Sequence, residues 1–311
     1  MAAASSSARP GGFSLLGLLK TNGRAQVGLG ILGLFLGVAL VGPLFVEDAG
    51  AYVAIPYLEP SWAHLFGTTG QGQDVLAQTI VGTRASLFNG LIVGLLVVMV
   101  GAAVGVTAGY FGGLVDDALS LAVNVLLVVP SLPLAIVIAA YLPPGPFTVG
   151  LVLVGTGWAW NARVLRVQTL SLRERDYVLA ARVSGEPHWR IIFVEMLPNM
   201  GPILLTQLVG ATTYAIGAQV GLEFLGLGDV GSVTWGSNLY WASNDQALLT
   251  GAWWTFVPTG TCIALVGFAL SLLNTSVDEA TNPALRVERS WRVYLKRLGV
   301  QPGMVTPVVP R

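Results

Sequence analysis

Residues 90–109 read GLIVGLLVVMVGAAVGVTAG, a run without a charged side chain. About 20 consecutive apolar residues are enough to cross the hydrocarbon core of a bilayer as a helix, so this stretch is predicted to span a membrane. Gly101, Gly105 and Gly109 recur every fourth residue, which leaves one helix face without side chains. A neighbouring helix can approach such a face closely, and we expect ordinary helix packing there rather than a gate.

The composition of the whole chain agrees with a membrane location. Of its 311 residues, 54% are hydrophobic and 10% are charged, and the mean hydropathy is +0.71. A soluble domain carries about 25% charged residues. The pattern therefore predicts an all-α polytopic membrane protein with six transmembrane helices. The predicted spans cover residues 25–46, 84–109, 115–140, 147–166, 200–222 and 252–276.

The positions of lysine and arginine predict how these spans are oriented. If the N-terminus is cytoplasmic, every Lys and Arg except Arg84 falls on the cytoplasmic side. Loops rich in Lys and Arg stay in the cytoplasm, so this orientation is favoured. With six spans, both termini and the connection between the fourth and fifth spans are then cytoplasmic.

That connection contains the most charged internal stretch, RDYVLAARVSGEPHWRIIFVEMLPN at 175–199. A short helix is predicted over 176–184, because Gly185 can adopt the positive φ that ends a helix. Pro187 suits the first turn of a second helix, and Pro198 is expected to limit that helix. The residues alone leave two interpretations open: a docking element for another protein, or an amphipathic connector on lipid headgroups.

The motif AAxxxG at 180–185, followed by IxxxxLPN at 192–199, resembles the cytoplasmic signature loop of binding-protein-dependent ABC transporter permeases. DYVLAARVSG at 176–185 is similar to the dipeptide/oligopeptide branch, although Leu179 stands where the full signature has glutamate. Further resemblances occur in order along the chain. They are HLFGTTGQGQDVLAQTIVGTRASL (64–87), GYFGGLVDD (109–117), LEFLGLG (222–228) and TWGSNL (234–239).

The resemblance implies an ABC importer type I permease fold and a coupling helix that docks in a cleft of an ATP-hydrolysing subunit. ATP-driven closure of that subunit would swing the permease between inward-open and outward-open states. The residues expected at this contact are Ala180, Ala181, Gly185, Glu186, His188, Trp189 and Pro198. The expected external element comprises Gly67, Thr68, Gly72, Asp74 and Arg84, with Thr69 and Gln73 departing from the usual pattern.

The implied partners are a second homologous permease subunit, two ATP-binding cassette ATPase subunits and an extracytoplasmic solute-binding protein. The implied location is the cytoplasmic membrane of a prokaryote, in contact with lipid and without nucleic acid. The expected organisation is a cytoplasmic tail, a first span with an external segment, a core permease domain with a coupling loop, and a second cytoplasmic tail. These cover residues 1–23, 24–83, 84–285 with the loop at 167–199, and 286–311.

Several activities are not expected from this chain. A phosphate-binding loop needs GxxxxGK[ST], but Lys20 and Lys296 both follow leucine. His64 and His188 are predicted on opposite sides of the membrane, so no metal site, cofactor or enzyme activity is expected. Cys262 has no cysteine partner for a disulfide. A secondary transporter is the competing class, but ionisable residues, which mark ion pathways, are absent near the predicted span centres.

The pathway of the transported solute is expected to be lined by small and weakly polar side chains. For each single candidate, a buried hydrogen bond between helices is the favoured alternative. The candidates are Asn124, Asn161, Gln207, Thr213, Tyr214 and Gln219. The branch implies di- and oligopeptides. Nickel chelates stay open because the resemblance extends to members that carry them. Oligosaccharides stay open because Gln71, Gln73 and WASNDQALLTGAWW (241–254) would suit sugar rings. A belt of interfacial tryptophans explains the same aromatic residues without a ligand.

Overall fold

The computed structural model describes residues 22–46 and 48–281, so most of both predicted tails lies outside the described residues. The described part is helical, with one isolated β-bridge between Thr68 and Asp74. The main helices are α1 (Gly23–Val41), α2 (Val75–Phe111), α3 (Gly113–Val128), α4 (Ser131–Ala140), α5 (Pro146–Arg173), α6 (Asp176–Val183), α7 (Gly201–Phe224), α8 (Trp235–Asn244), α9 (Ala247–Thr250) and α10 (Val257–Thr281).

The prediction of an all-α membrane fold is confirmed. Four helical stretches of the described chain are long and apolar enough to span a membrane, and α3 with α4 would make a fifth. These stretches are Gly23–Leu44, Val75–Phe111, His188–Phe224 and Trp253–Glu279. The predicted fourth span lies in α5, whose C-terminal half carries three arginines. The predicted count of six is thus not reached by length and apolarity alone.

Helix α2 begins nine residues before the predicted span. The carboxylate of Asp74 accepts a hydrogen bond from the backbone N–H of Ala77 at 2.9 Å, which caps the helix start. Its 37 residues correspond to about 55 Å, well beyond the ~30 Å of hydrocarbon. Helix α2 therefore extends out of the membrane, and the external segment packs against its first turns.

The glycine face of α2 packs directly on α5, which confirms the close approach predicted from the sequence. A Cβ added at Gly101 would lie 2.6 Å from Cβ of Asn161, and one at Gly105 would lie 2.3 Å from the carbonyl oxygen of Ala162. At Gly109 the corresponding distance to the carbonyl oxygen of Arg166 is 2.8 Å. The two helices touch through their backbones over more than two turns.

The predicted continuous helix over 115–140 is wrong. Helices α3 and α4 are bent by 85° at Val129 and Pro130. Proline disfavours the helical conformation of the residue before it, and Val129 is extended with ψ 126°. Hydropathy predicted this region as one span because Val129 and Pro130 interrupt the backbone without interrupting the apolar sequence.

The helices run in alternating directions, which gives the bundle two distinct ends. At one end, Arg24 on α1 forms an ion pair with Glu279 on α10 at 2.8 Å. Helix α6 lies at this end too, because it directly follows the end of α5. At the other, the indole N–H of Trp254 donates to the carbonyl oxygen of Thr68 at 3.2 Å. We call these the α6 end and the opposite end.

Candidate functional site

The segment between α5 and α7 starts with the predicted short helix, α6. The backbone N–H groups of Gly185 and Glu186 donate to the carbonyl oxygens of Arg182 and Ala181, each at 3.1 Å. This pair of bonds is the Schellman ending of a helix. Gly185 has φ +78°, and no atom lies within 4 Å of a Cβ built on it. Glycine is therefore favoured here by the backbone conformation and not by a lack of space. The predicted helix end is confirmed.

After Pro187 the chain is helical again and stays so into α7. The path passes through His188–Arg190, a wide turn over Ile191–Met196 and a tight turn over Leu197–Met200. The expectation that Pro198 limits the helix is wrong. Proline stands at the start of the tight turn, where its missing N–H leaves no intrahelical bond unmade. The segment and α7 are joined without a break.

The inner side of this segment is anchored in a buried apolar cluster. Val178 of α6 and Ile191, Met196 and Met200 of the following turns are buried. They pack against Val106 and Tyr110 of α2 and Leu165 and Leu172 of α5. Burying a large aliphatic side chain contributes about 1.5–3 kcal/mol, so the cluster holds the segment firmly against two long helices.

Tyr110, only 3% exposed, is the polar centre of this anchorage. Its hydroxyl oxygen lies 2.8 Å from Nδ1 of His188, within hydrogen-bond distance. The guanidinium of Arg182 lies over its ring, 4.7 Å from the centroid, a favourable cation–π arrangement. Arg173 donates to the carbonyl oxygens of Gly109 and Tyr110 at the end of α2. Two parts of the segment and the last residue of α5 therefore meet at the last turn of α2.

The outer side of the segment is exposed and largely apolar. Most of the predicted contact residues lie there: Ala180, Gly185, His188, Trp189 and Pro198. Ala181 and Glu186 are half-buried; Ala181 packs on the apolar cluster, and Glu186 forms an ion pair with Arg190 at 3.3 Å.

Three further apolar side chains of this segment are exposed, although none was among the predicted contact residues. Leu179 is 45% exposed, Val183 is 90% exposed and Phe193 is 63% exposed. Leu179 and Val183 are four residues apart in α6 and so share a helix face, which was a visible signal. We call the exposed side chains of Leu179, Ala180, Val183, Trp189 and Phe193 the docking face.

The predicted external element folds as a compact turn before α2. Gly67 and Gly72 have φ +70° and +74°, and a Cβ on either would lie 2.4 Å from a backbone carbonyl oxygen. The buried hydroxyl of Thr68 accepts from the N–H of Leu58 and donates to the carbonyl oxygen of Ile55. Asp74 caps α2 and lies 2.9 Å from Nδ1 of His64.

Arg84 lies apart from this turn, exposed on the third turn of α2. The structure thus brings four of the five predicted external residues together. His64 lies at the opposite end from His188, as the predicted topology requires.

Asp245, which was not singled out from the sequence, also lies at the opposite end. Its carboxylate packs against Gly70, and Tyr57 donates a hydrogen bond to its backbone carbonyl oxygen. Oδ2 of Asp245 is buried without a hydrogen-bond partner among the described residues. This burial raises the pKa of Asp245 above its usual range.

A cavity of about 500 Å³ lies where the α3–α4 bend meets α5, α7 and α10. Three of the predicted pathway residues line it: Asn161, Gln207 and Tyr214. Ser131, Thr206 and Asn274 also line it and were missed; Tyr214 donates to the hydroxyl of Ser131 at 3.1 Å. Oδ1 of Asn274 is buried and has no partner among the described residues. The lining contains polar side chains from four helices and no charged one.

The other three predicted pathway residues are not among the lining residues, although Asn124 lies one turn from the lining residue Leu127. Thr213 donates to the carbonyl oxygen of Val209 within α7. Gln219 is buried and donates to Glu223 at 2.8 Å. The carboxylate of Glu223 also accepts from the hydroxyl of Thr234, which ties the end of α7 to the start of α8. Asn124 accepts from Arg163. The bonds of Thr213 and Gln219 lie within α7, and the bond of Asn124 joins two helices at an exposed position. None of the three is the buried bond between helices that was kept open as the alternative.

Three of the residues that suggested a sugar ligand have hydrogen-bond partners within the chain. The indole N–H groups of Trp241 and Trp254 donate to the backbone carbonyl oxygens of Val230 and Thr68. Gln73 donates to the carbonyl oxygen of Gly50 and accepts from Gln78. Across residues 22–46 and 48–281, no three His, Cys, Asp or Glu side chains are grouped so as to hold a metal ion.

Comparison with known proteins agrees with this arrangement. The family described as "Binding-protein-dependent transport system inner membrane component" matches residues 101–283. The chain is 33% identical to the dipeptide transport system permease protein DppC of Bacillus subtilis (strain 168), over 86% of this chain and 84% of that protein.

Two further relatives are oligopeptide transport system permease proteins OppC. The one from B. subtilis is 34% identical, over 86% of this chain and 88% of that protein. The one from Mycobacterium tuberculosis (strain ATCC 25618 / H37Rv) is 34% identical, over 73% of this chain and 78% of that protein. The chain therefore belongs to the family of inner membrane components of binding-protein-dependent transport systems.

Proposed function

We propose that this chain is the membrane-spanning subunit of an ATP-driven importer of di- and oligopeptides and forms half of its translocation pathway. The names of DppC and OppC support peptides as the solute. The indole and amide groups of Trp241, Trp254 and Gln73, which had suggested sugars, form hydrogen bonds within the chain, and this weakens the case for an oligosaccharide.

The docking face is the observation that carries the coupling part of the proposal. Large apolar side chains exposed in a polar surrounding mark a protein or membrane interaction site. Trp189 and Val183 stand beside Arg182, Glu186 and Arg190, a mixture that suits the cleft of an ATPase subunit. Docking there would satisfy both kinds of side chain.

Movement of a docked ATPase would reach the membrane by two routes. The first is the continuous helical path from His188 to Phe224. The second is the contact of His188 and Arg182 with Tyr110 at the end of α2. Closure of the ATPases on ATP would therefore shift α7 and α2 together and open the pathway to the other side. The segment transmits force and performs no chemistry.

The complete transporter would contain this chain, a second homologous permease, two ATPases and a solute-binding protein. The solute-binding protein would meet the opposite end, which carries the 48–74 and 225–256 connections. The organisation into 1–23, 24–83, 84–285 and 286–311, with a coupling loop at 167–199, is proposed with one adjustment. Since α5 runs to Arg173, the loop outside the spans starts near residue 174.

We also propose that the α6 end and both termini are cytoplasmic, because of the distribution of Lys and Arg. Two single-cysteine variants test this in a background where Cys262 is replaced by serine. Ala63 and Ser184 are exposed at opposite ends. A membrane-impermeant thiol reagent added to intact cells should label Ala63→Cys and not Ser184→Cys, and the reverse pattern would contradict the orientation.

Co-purification and uptake test the function as a whole. The tagged chain, expressed with the permease, ATPase and solute-binding genes encoded beside it, should retain the ATPases and drive ATP-dependent uptake of labelled di- and tripeptides into proteoliposomes. Uptake driven by an ion gradient without ATPases, or uptake of oligosaccharides with no peptide uptake, would contradict the proposal.

A further inference from the structure

The C-terminal half of α5 carries three arginines with different partners. Arg166 forms a two-pronged ion pair with Asp116 on α3. Arg173 donates to backbone carbonyl oxygens at the end of α2. Arg163 instead donates from Nη2 to the side-chain amide oxygen of Asn124, at 2.7 Å. Among the described residues, no carboxylate lies within ion-pair distance of Arg163.

Arg163 and Asn124 border the cavity. Trp160 on α5 and Leu127 on α3 line it, and each is three residues from one member of the pair. Residues three apart in a helix share a face, so both side chains stand one turn beyond the lining. Helix α5 runs towards the α6 end and α3 runs away from it, which places both on the α6 side of the cavity. Both side chains are exposed.

The chemistry of this pair suits an anion. The amide of Asn124 orients the guanidinium but leaves its positive charge uncompensated. A guanidinium has five N–H donors in a fixed fork, of which Asn124 takes one. The fork matches a carboxylate with two parallel hydrogen bonds. The cavity beside it has no other charged side chain to compete.

We propose that Arg163, held by Asn124, binds the free C-terminal carboxylate of the transported solute while its backbone lies among the amide and hydroxyl groups of the cavity. The proposal rests on the proposed peptide import and deepens it: the permease itself, and not only the solute-binding protein, reads the charged end of the peptide. A lipid phosphate is the other anion that could reach this end of α5.

The test compares two probes in the intact transporter in proteoliposomes, trialanine and trialanine C-terminal amide. The measured quantity is the initial ATP-dependent uptake rate of trialanine divided by that of the amide. This ratio is measured for wild type and for Arg163→Gln. The preference of the solute-binding protein enters both ratios equally and cancels in the comparison. Arg163→Gln should lower the ratio at least about tenfold, the size of one charge-assisted hydrogen bond.

Asn124→Asp is the second variant, because it keeps the arginine and pairs it with a carboxylate. It should lower the ratio in the same direction, and it replaces Arg163→Gln if that variant does not assemble. Equal ratios in wild type and the variants would overturn the proposal. An equal fall for both peptides that follows the anionic lipid content of the vesicles would also overturn it and assign Arg163 to headgroups. Failure of peptide import would appear in the wild type, with neither peptide transported.

Discussion

The hydroxyl oxygen of Tyr110 and Nδ1 of His188 lie 2.8 Å apart, which joins the last turn of α2 to the first residue of the helical path into α7. Tyr110 is buried, whereas His188 is exposed beside the docking face. The hydrogen bond therefore connects the docking face to a residue inside the bundle.

Removing this hydroxyl should weaken coupling. Tyr110→Phe keeps the ring that packs on Arg182 and His188 and loses only the hydrogen bond between the hydroxyl and His188. A hydrogen bond contributes about 1 kcal/mol, so we expect solute-stimulated ATP hydrolysis by the reconstituted transporter to fall about fivefold with unchanged assembly. The control is Tyr141→Phe, because Tyr141 is exposed and follows α4, at the other end of the α3–α4 pair from Tyr110. If His188→Ala lowers ATP hydrolysis by the same factor in the Tyr110→Phe background as in wild type, the two residues do not act together.

The positive φ of Gly185 should matter more than its size. A β-branched residue is strongly disfavoured at φ +78°, and the left-handed conformation costs a non-glycine residue about 1–2 kcal/mol. Gly185→Val should therefore reduce retention of the ATPase on the purified chain at least fivefold while membrane insertion is unchanged.

Gly185→Asn is the matched variant, because asparagine tolerates the left-handed conformation and the surrounding space is open. It should retain the ATPase nearly as well as wild type. Equal loss in both variants would show that the absence of a side chain, and not the backbone conformation, is what docking requires.

The contact between α2 and α5 should not tolerate even one methyl group. A Cβ at Gly105 would lie 2.3 Å from the carbonyl oxygen of Ala162, and overpacking typically costs about 1–3 kcal/mol. Gly105→Ala should lower the thermal unfolding midpoint of the detergent-purified chain by several degrees. Gly37→Ala on α1, with no atom near its Cβ, should leave the midpoint unchanged or raise it. A similar effect of both would contradict the packing account.

The buried carboxylate of Asp245 predicts a pH dependence. Burial raises its pKa in the folded protein, so the unfolded chain ionises first and stability is lost as pH rises from the ordinary aspartate range to the raised pKa. Asp245→Asn removes this charge. It should raise the unfolding midpoint at pH 7.5 and change it little at pH 4, and an equal change at both pH values would contradict burial as the cause.

Much of the segment between α5 and α7 could be predicted, because its conformation depends on residues close together in the sequence. Small residues and Gly185 specify the end of α6 whatever surrounds it, and Gly101, Gly105 and Gly109 specify a bare helix face. Pro198 misled the prediction because proline disrupts a helix interior but is accepted at the start of a turn.

Properties that depend on distant partners could not be predicted. The bend at Val129 and Pro130 is a backbone event that hydropathy does not register. Gln219 was as plausible a pathway residue as Gln207 until Glu223 and Thr234 were seen to engage its surroundings. The charge of Arg163 stands out only because Arg166 and Arg173 are satisfied by α3 and α2.

The most direct test of the central claim is photo-crosslinking from the docking face in the assembled transporter. A photoreactive residue at Trp189 or Val183 should form an adduct with the ATPase subunit, with a yield that changes when ATP binds. The same residue at Leu44, exposed at the opposite end, should give no ATPase adduct. Adducts with lipid alone from Trp189 and Val183 would contradict the account and leave the segment as a connector on the membrane surface.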